Sequence, residues 1–125
     1  MQINKLSSLP IHEQIIDDIK KQISDGILAP GNRLLSVREL ATSLQINPNI
    51  VNRAYKSLEK EGYIVILYGK GIFIKNIKDI PVSITKEKEL KLELELHLLE
   101  LYYQNVSRES VETWINEFYQ RVVKD

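Results

Sequence analysis

Apolar residues at Ile11, Ile15, Ile16, Ile19 and Ile23 fall on one helical stripe and predict a first helix from about Pro10 to Asp25. Pro10 suits its first turn and Gly26 its C-terminal cap. Leu28 to Leu34 contains Pro30-Gly31, which halts a helix, and reads as a turn-rich connector. Ser36-Val37-Arg38-Glu39 has the form of a capping box, with Leu40, Ala41 and Leu44 behind it, so a short helix is expected over Val37–Leu44. A tight turn at Gln45-Ile46 comes next. Asn47-Pro48 then supplies a cap and a first-turn proline for a third helix ending at Gly62. Its period sends Val51, Ala54, Tyr55 and Leu58 inward and Asn49, Asn52, Arg53 and Lys56 to the other face. Tyr63–Leu67 and Ile72–Lys75 are β-branched and aromatic runs around Tyr68-Gly69-Lys70-Gly71, the pattern of a hairpin.

Asn76 to Pro81 reads as a linker, with Thr85 as the N-cap of a fourth helix. From Glu89 to Tyr103 the leucines alternate with Lys, Glu and His as they would in a strand. The residue types decide for helix: Leu, Glu and Lys are strong helix formers, and a strand of that length is unusual. Wound as a helix, the segment shows two adjoining apolar stripes, Leu92-Leu96-Leu99-Tyr103 and Leu90-Leu94-Leu98-Leu101. Ser107 caps a last helix with Val111, Trp114, Ile115, Phe118, Tyr119 and Val122 at helical spacing. Two such helices cannot enclose a core. A second copy of the chain is the economical cover, with Leu92, Leu94, Leu96, Leu98, Leu99, Leu101, Trp114 and Phe118 as its contacts. The expected fold is mostly α with a small β-hairpin (α+β), divided into a head at 1–80 and a helical dimerisation tail at 81–125.

Composition narrows the chemistry. The 125 residues include no cysteine, which excludes disulfides, thiolate metal sites and cysteine nucleophiles. His12 and His97 are too few and too far apart for a metal site, and no nucleophile elbow or phosphate-cradling loop occurs. Neither an enzyme nor a cofactor is expected. No apolar run approaches the roughly 20 residues of a membrane span, and the N-terminus lacks an export pattern, so a cytoplasmic protein is the expectation. The net charge of +0 conceals an asymmetry: residues 1–80 carry 11 basic against 8 acidic groups, and residues 81–125 carry 6 against 9. Leu44 to Lys78 alone holds 6 basic against 2 acidic. A locally positive surface suits nucleic acid.

Two short helices, a tight turn and a subsequent hairpin are the arrangement whose second helix can enter a DNA major groove. Asn49, Asn52 and Arg53 lie in the N-terminal turns of that helix, and amide or guanidinium groups there can pair with base edges. Lys70 sits between two glycines at the hairpin tip and can approach the phosphate backbone.

Residues 10 to 75 resemble the winged helix-turn-helix of GntR-type regulators. The resemblance is carried by Pro30-Gly31, by Leu34-Leu35-Ser36-Val37-Arg38-Glu39-Leu40-Ala41, and by Asn47-Pro48-Asn49-Ile50-Val51-Asn52-Arg53-Ala54-Tyr55. Leu58-Glu59-Lys60-Glu61-Gly62 and Gly69-Lys70-Gly71 complete it. It implies that Arg38 binds phosphate, that Asn49, Asn52 and Arg53 face an operator, and that Gly69-Lys70 is the wing tip, with Ser36, Asn47 and Lys56 in the same surface. The short tail resembles that of the YtrA subfamily, in which two helices mainly dimerise, and implies a homodimer on double-stranded DNA. Three positions depart from the pattern: Leu35 replaces a usual proline, Gln45 a glycine, and Ile50 a threonine whose hydroxyl would reach phosphate. Arg53 has Glu59 and Glu61 as alternative partners, and Tyr55 reads as core. A protein-interaction adaptor is the alternative function, supported by zero net charge and Ile50, and a ligand-responsive switch with a pocket at the dimer interface, lined by Trp114, Phe118 and Tyr119, is a third. No small-molecule effector can be named from these residues.

Overall fold

The apolar stripe of α1 (Ile11–Ser24) packs on α3 (Pro48–Lys60), α2 (Val37–Leu44) packs on α3 as well, and β1 (Arg33–Leu34), β2 (Ile64–Leu67) and β3 (Gly71–Ile74) complete the head. The computed structural model describes residues 1–79 and 83–122. A single 3-10 turn, Ile77–Asp79, comes after the sheet; α4 (Ile84–Tyr103) and α5 (Arg108–Val122) form the tail. Of the expected linker, Ile80 and Pro81 lie outside the described residues.

The core is built from the predicted faces. Ile15 and Ile19 of α1, Leu40 and Ala41 of α2, and Val51, Ala54, Tyr55 and Leu58 of α3 are buried together with Leu34, Ile64, Ile72 and Ile74 of the sheet. Burying a Leu or Ile side chain contributes about 1.5–3 kcal/mol, so the interlocking faces of α1, α2 and α3 account for much of the head's stability.

The connector is more ordered than its Pro-Gly composition suggests. Its last two residues form β1, an edge strand that pairs antiparallel with β3 in the register Arg33 to Phe73 and Leu34 to Ile72. The sheet order is therefore β1-β3-β2, three strands in place of the expected hairpin alone. A two-residue strand is too short to show alternation. What holds it is its neighbour: the Gly31 N–H donates to the Ile74 carbonyl and the Ile74 N–H to the Asn32 carbonyl, both at 2.9 Å. The β2–β3 register pairs Ile64 with Ile74 and Leu67 with Gly71; Leu67 ends its strand as expected and the other three ends lie one residue from expectation.

Caps define the helix starts. The Ser36 hydroxyl accepts from the Glu39 N–H at 3.1 Å while Glu39 Oε1 accepts from the Ser36 N–H at 3.0 Å, completing the capping box. Asn47 Oδ1 accepts from the Asn49 N–H at 2.8 Å. For α4 the expected cap Thr85 is corrected to Ser83, whose hydroxyl accepts from the Lys86 N–H at 3.2 Å. Thr85 lies inside the helix, too late to meet those orphan donors. Ser107 caps α5 as expected, accepting from the Ser110 N–H at 3.1 Å. Pro10 is the N-cap of α1 and not its first helical residue.

Between α2 and α3, Gln45 takes φ 55° and ψ 49°, the left-handed conformation that glycine adopts freely. The turn is braced by the Ile46 N–H on the Ala41 carbonyl at 3.0 Å and by Lys5 Nζ on the Gln45 carbonyl at 3.1 Å. A non-glycine residue there costs about 1–2 kcal/mol, partly offset by the smaller entropy of its unfolded chain. Gln45→Gly should therefore raise stability by about 0.5–1 kcal/mol, read as an increased denaturant midpoint at unchanged m-value; no increase would show the turn to be unstrained.

Candidate nucleic-acid interface

One face of α3 is committed to the core, and this sets the rotation of the helix about its axis. Val51, Ala54, Tyr55 and Leu58 are no more than 1% exposed. Asn49, Asn52, Arg53 and Lys56, at i, i+3, i+4 and i+7, consequently form an exposed stripe on the opposite side. Tyr55 is core, as expected. Its hydroxyl donates to the Leu35 carbonyl at 2.7 Å, tying α3 to the residue that leads into α2. Burial, with a smaller contribution from the Glu39 charge, pushes the Tyr55 phenol above its usual range, so it remains a donor.

The start of α2 lies beside this link. Ser36 and Asn47 both spend a side-chain oxygen on a helix cap, so each contributes first-turn geometry more than a free side chain. Arg38 is exposed and has no acidic partner among the described residues. The same holds for Arg53, whose alternative partners are taken. Glu61 pairs with Lys20 at 2.7 Å and Glu59 lies 3.9 Å from Lys56.

At the hairpin tip Gly69 and Gly71 have φ of 81° and 130°, and the Lys70 N–H closes the turn on the Leu67 carbonyl at 2.9 Å. Lys70 projects from the tip and is exposed. Two residues that sequence reasoning missed belong to the same surface. Tyr68 is 84% exposed, its hydroxyl accepts from Lys56 Nζ at 3.4 Å, and that ammonium lies 5.9 Å from its ring centre. Arg33 lies against the wing, since a Cβ at Gly71 would fall 2.9 Å from its Nε. Neither contact has a local signal: one crosses 12 residues and the other depends on β1.

Capped α2, a left-handed turn, an outward polar stripe on α3 and a cationic hairpin make up a winged helix-turn-helix, the class of DNA-binding transcription regulators. Residues 11–74 match the model of the bacterial regulatory proteins of the gntR family, and the chain belongs to that family. It is 41% identical over 117 residues to the HTH-type transcriptional repressor YtrA of Bacillus subtilis (strain 168), covering 94% of this chain and 90% of that protein. Among solved structures, a transcriptional antiterminator from Listeria monocytogenes EGD-e superposes with a TM-score of 0.69 at 37% identity, over 100% of this chain and 94% of that one. YtrA from Sulfolobus acidocaldarius, a GntR-family transcription factor, gives 0.62 at 31% identity, over 98% of both chains. The protein is thus a regulator and not an enzyme, as expected.

The capping box makes the start of α2 pH-dependent. The Ser36 N–H, then its hydroxyl, then the charge of Arg33 hold the Glu39 carboxyl below its ordinary range. A carboxyl lowered in the folded state contributes stability that is complete above its unfolded value, about 4.3, and is lost as pH falls through the folded value. Glu39→Gln retains an acceptor for the Ser36 N–H but not the charge. Its stability deficit relative to the unmodified protein should be constant near neutrality and shrink below about pH 4. Parallel unfolding curves at each pH measure the gap, and a gap that persists in acid would assign it to something other than the carboxylate.

Proposed function

We propose that the protein is a homodimeric repressor that binds a pseudo-palindromic operator, with one α3 per half-site and half-sites about one helical turn apart. The observation that carries the reading is the α3 stripe. Asn49, Asn52 and Arg53 are exposed in its first turns, where side chains reach base edges, while Arg38, Lys70 and the helix starts at Ser36 and Asn47 anchor phosphate around it. Lys56 serves on the same face, braced by Tyr68. The repressor name of a relative 41% identical over most of its length supports repression as the output. The protein works in the cytoplasm, beside the chromosome it regulates.

The tail supplies the argument for pairing, with residues 1–80 as the reading unit and 81–125 as the joining one. Leu92, Leu94, Leu96 and Leu99 remain 60%, 55%, 54% and 51% exposed in the single chain, and α4 packs on no other element among the described residues. Leaving that many leucines half in water forgoes several kcal/mol, which a partner recovers. All three lysines of α4, Lys86, Lys88 and Lys91, lie in its first half, intermixed with Glu87, Glu89 and Glu93, while the second half carries Glu95 and Glu100 without a lysine. An antiparallel second copy would set lysines beside the uncompensated acidic half. Trp114 and Phe118 of α5 are likewise 48% and 37% exposed and offer a partner further apolar contact.

Arg38→Ala should weaken binding to all DNA sequences alike, by about tenfold, and lower the salt slope by about one, whereas Asn49→Ala should change which sequence is preferred. Selection from a random DNA pool followed by gel-shift titration at fixed salt tests both. Unchanged affinity and preference in both variants would overturn the site assignment.

Leu94→Glu combined with Leu98→Glu should convert the dimer to a monomer in sedimentation and reduce operator affinity about a hundredfold or more, with the head still folded. A double variant that remains dimeric would exclude α4 as the joining surface.

A further inference from the structure

The far end of the tail comes back to the head. Arg121 Nε donates to the Ser24 carbonyl at 3.1 Å across 97 residues. The two backbones also meet: a Cβ on Gly26 would lie 2.6 Å from the Arg121 carbonyl oxygen, and Gly26 holds φ +77°. Glycine therefore meets two demands there, the left-handed end of α1 and the approach of α5. The joint is electrostatically favourable, because the Ser24 carbonyl belongs to the negative end of α1, where a guanidinium is stabilised. The Arg121 guanidinium is also held on its own helix, 5.9 Å from the Phe118 ring centre.

This contact is mechanically isolated. Among the described residues α5 packs against α1 and against no other element, while α4 packs against none. The tail is thus attached to the head at two points, the covalent connection after the sheet and the α1–α5 joint. With the first alone, the head could swing on the chain between β3 and α4. The second removes that freedom.

We propose that Arg121 and Gly26 form a latch that fixes the angle at which the tail carries each reading head, and so restricts the dimer to one spacing between operator half-sites. The inference rests on the dimeric reading above. Moving one half-site by a base pair displaces it by about 3.4 Å and rotates it by about 35° around the duplex, given roughly one turn per 10–10.5 base pairs. A swinging head can follow that displacement; a latched one cannot. Arg121 is accordingly a positioning residue, distant from α3 in sequence, and Gly26 is the place prepared to receive it.

Selection from a random DNA pool with the full chain tests the latch. The unmodified protein should yield paired half-sites at one sharply preferred spacing, rejecting neighbours by about tenfold. Arg121→Ala should select the same half-site sequence but with discrimination between adjacent spacings reduced to about threefold or less. Arg108→Ala removes an arginine of the same helix that pairs with Glu112 and should leave the spacing sharp. Gly26→Ala offers a second way to open the joint, and circular dichroism checks that it folds. Spacing as sharp in Arg121→Ala as in the unmodified dimer would overturn the latch alone, as would equal broadening in Arg108→Ala. An unmodified protein that sediments as a monomer and selects isolated half-sites would instead overturn the dimer and the latch with it.

Discussion

Burial of one face of α3 is the constraint on which the rest depends. Val51, Ala54, Tyr55 and Leu58 are enclosed by α1, α2 and the sheet, and a helix locked on four positions of one stripe has no rotation left. The outward direction of Asn49, Asn52, Arg53 and Lys56 is a result of that packing, with no interaction of their own required. The proposed reading surface can therefore be rewritten by substitution while the core holds its aim. Tyr55 extends the constraint beyond α3, because its hydroxyl bond to Leu35 sets the recognition helix against the start of α2. With no proline ring to fix φ at Leu35, this bond takes over part of the work of ordering that segment.

What was legible in the sequence was what short-range chemistry determines. Ser36 and Glu39 announce a capping box because both partners lie within one turn, and Asn47-Pro48 starts α3 for the same reason. The isoleucine stripe of α1 was legible through its period, whereas α4 was legible through its residue types, because its leucines alternate as those of a strand would. β1 was not, since two residues carry no alternation and Leu34 is held by a strand much later in the chain. The lateral contacts of the wing, Tyr68 with Lys56 and Arg33 with Gly71, are likewise products of tertiary geometry. Thr85 was a plausible cap by residue type, but Ser83 carries the hydroxyl that meets the Lys86 N–H.

The departures from the family pattern have distinct physical consequences. Gln45 keeps the left-handed turn without glycine's freedom, and the Lys5 contact to its carbonyl helps hold that conformation. Ile50 is half-buried against the core, so the threonine hydroxyl has been exchanged for apolar contact on the inner side of α3. The first departure concerns backbone strain; the second concerns a hydroxyl that, by the resemblance, would reach phosphate. In the proposed interface Arg38, Lys70 and Arg33 supply positive charge around α3, so zero net charge is compatible with DNA binding: charge is distributed locally, and the acidic excess lies in residues 81–125.

Head and tail obey different energetic logic. The head satisfies its apolar faces internally, whereas α4 satisfies almost none and, among the described residues, α5 meets the head only through α1. A domain that buries its own core is stable whether or not it binds; a helix with leucines on both stripes is stable only in company. In the proposed dimer, joining two copies through the tail turns the second half-site contact into an intramolecular event, and the gain depends on how well the joined heads match the spacing of the DNA. A limp connection would lose much of that gain to conformational entropy. In the proposed latch a single arginine on the Ser24 carbonyl at the end of α1, admitted by a glycine, is an economical means of limiting that loss, because it would constrain a whole domain through one side chain.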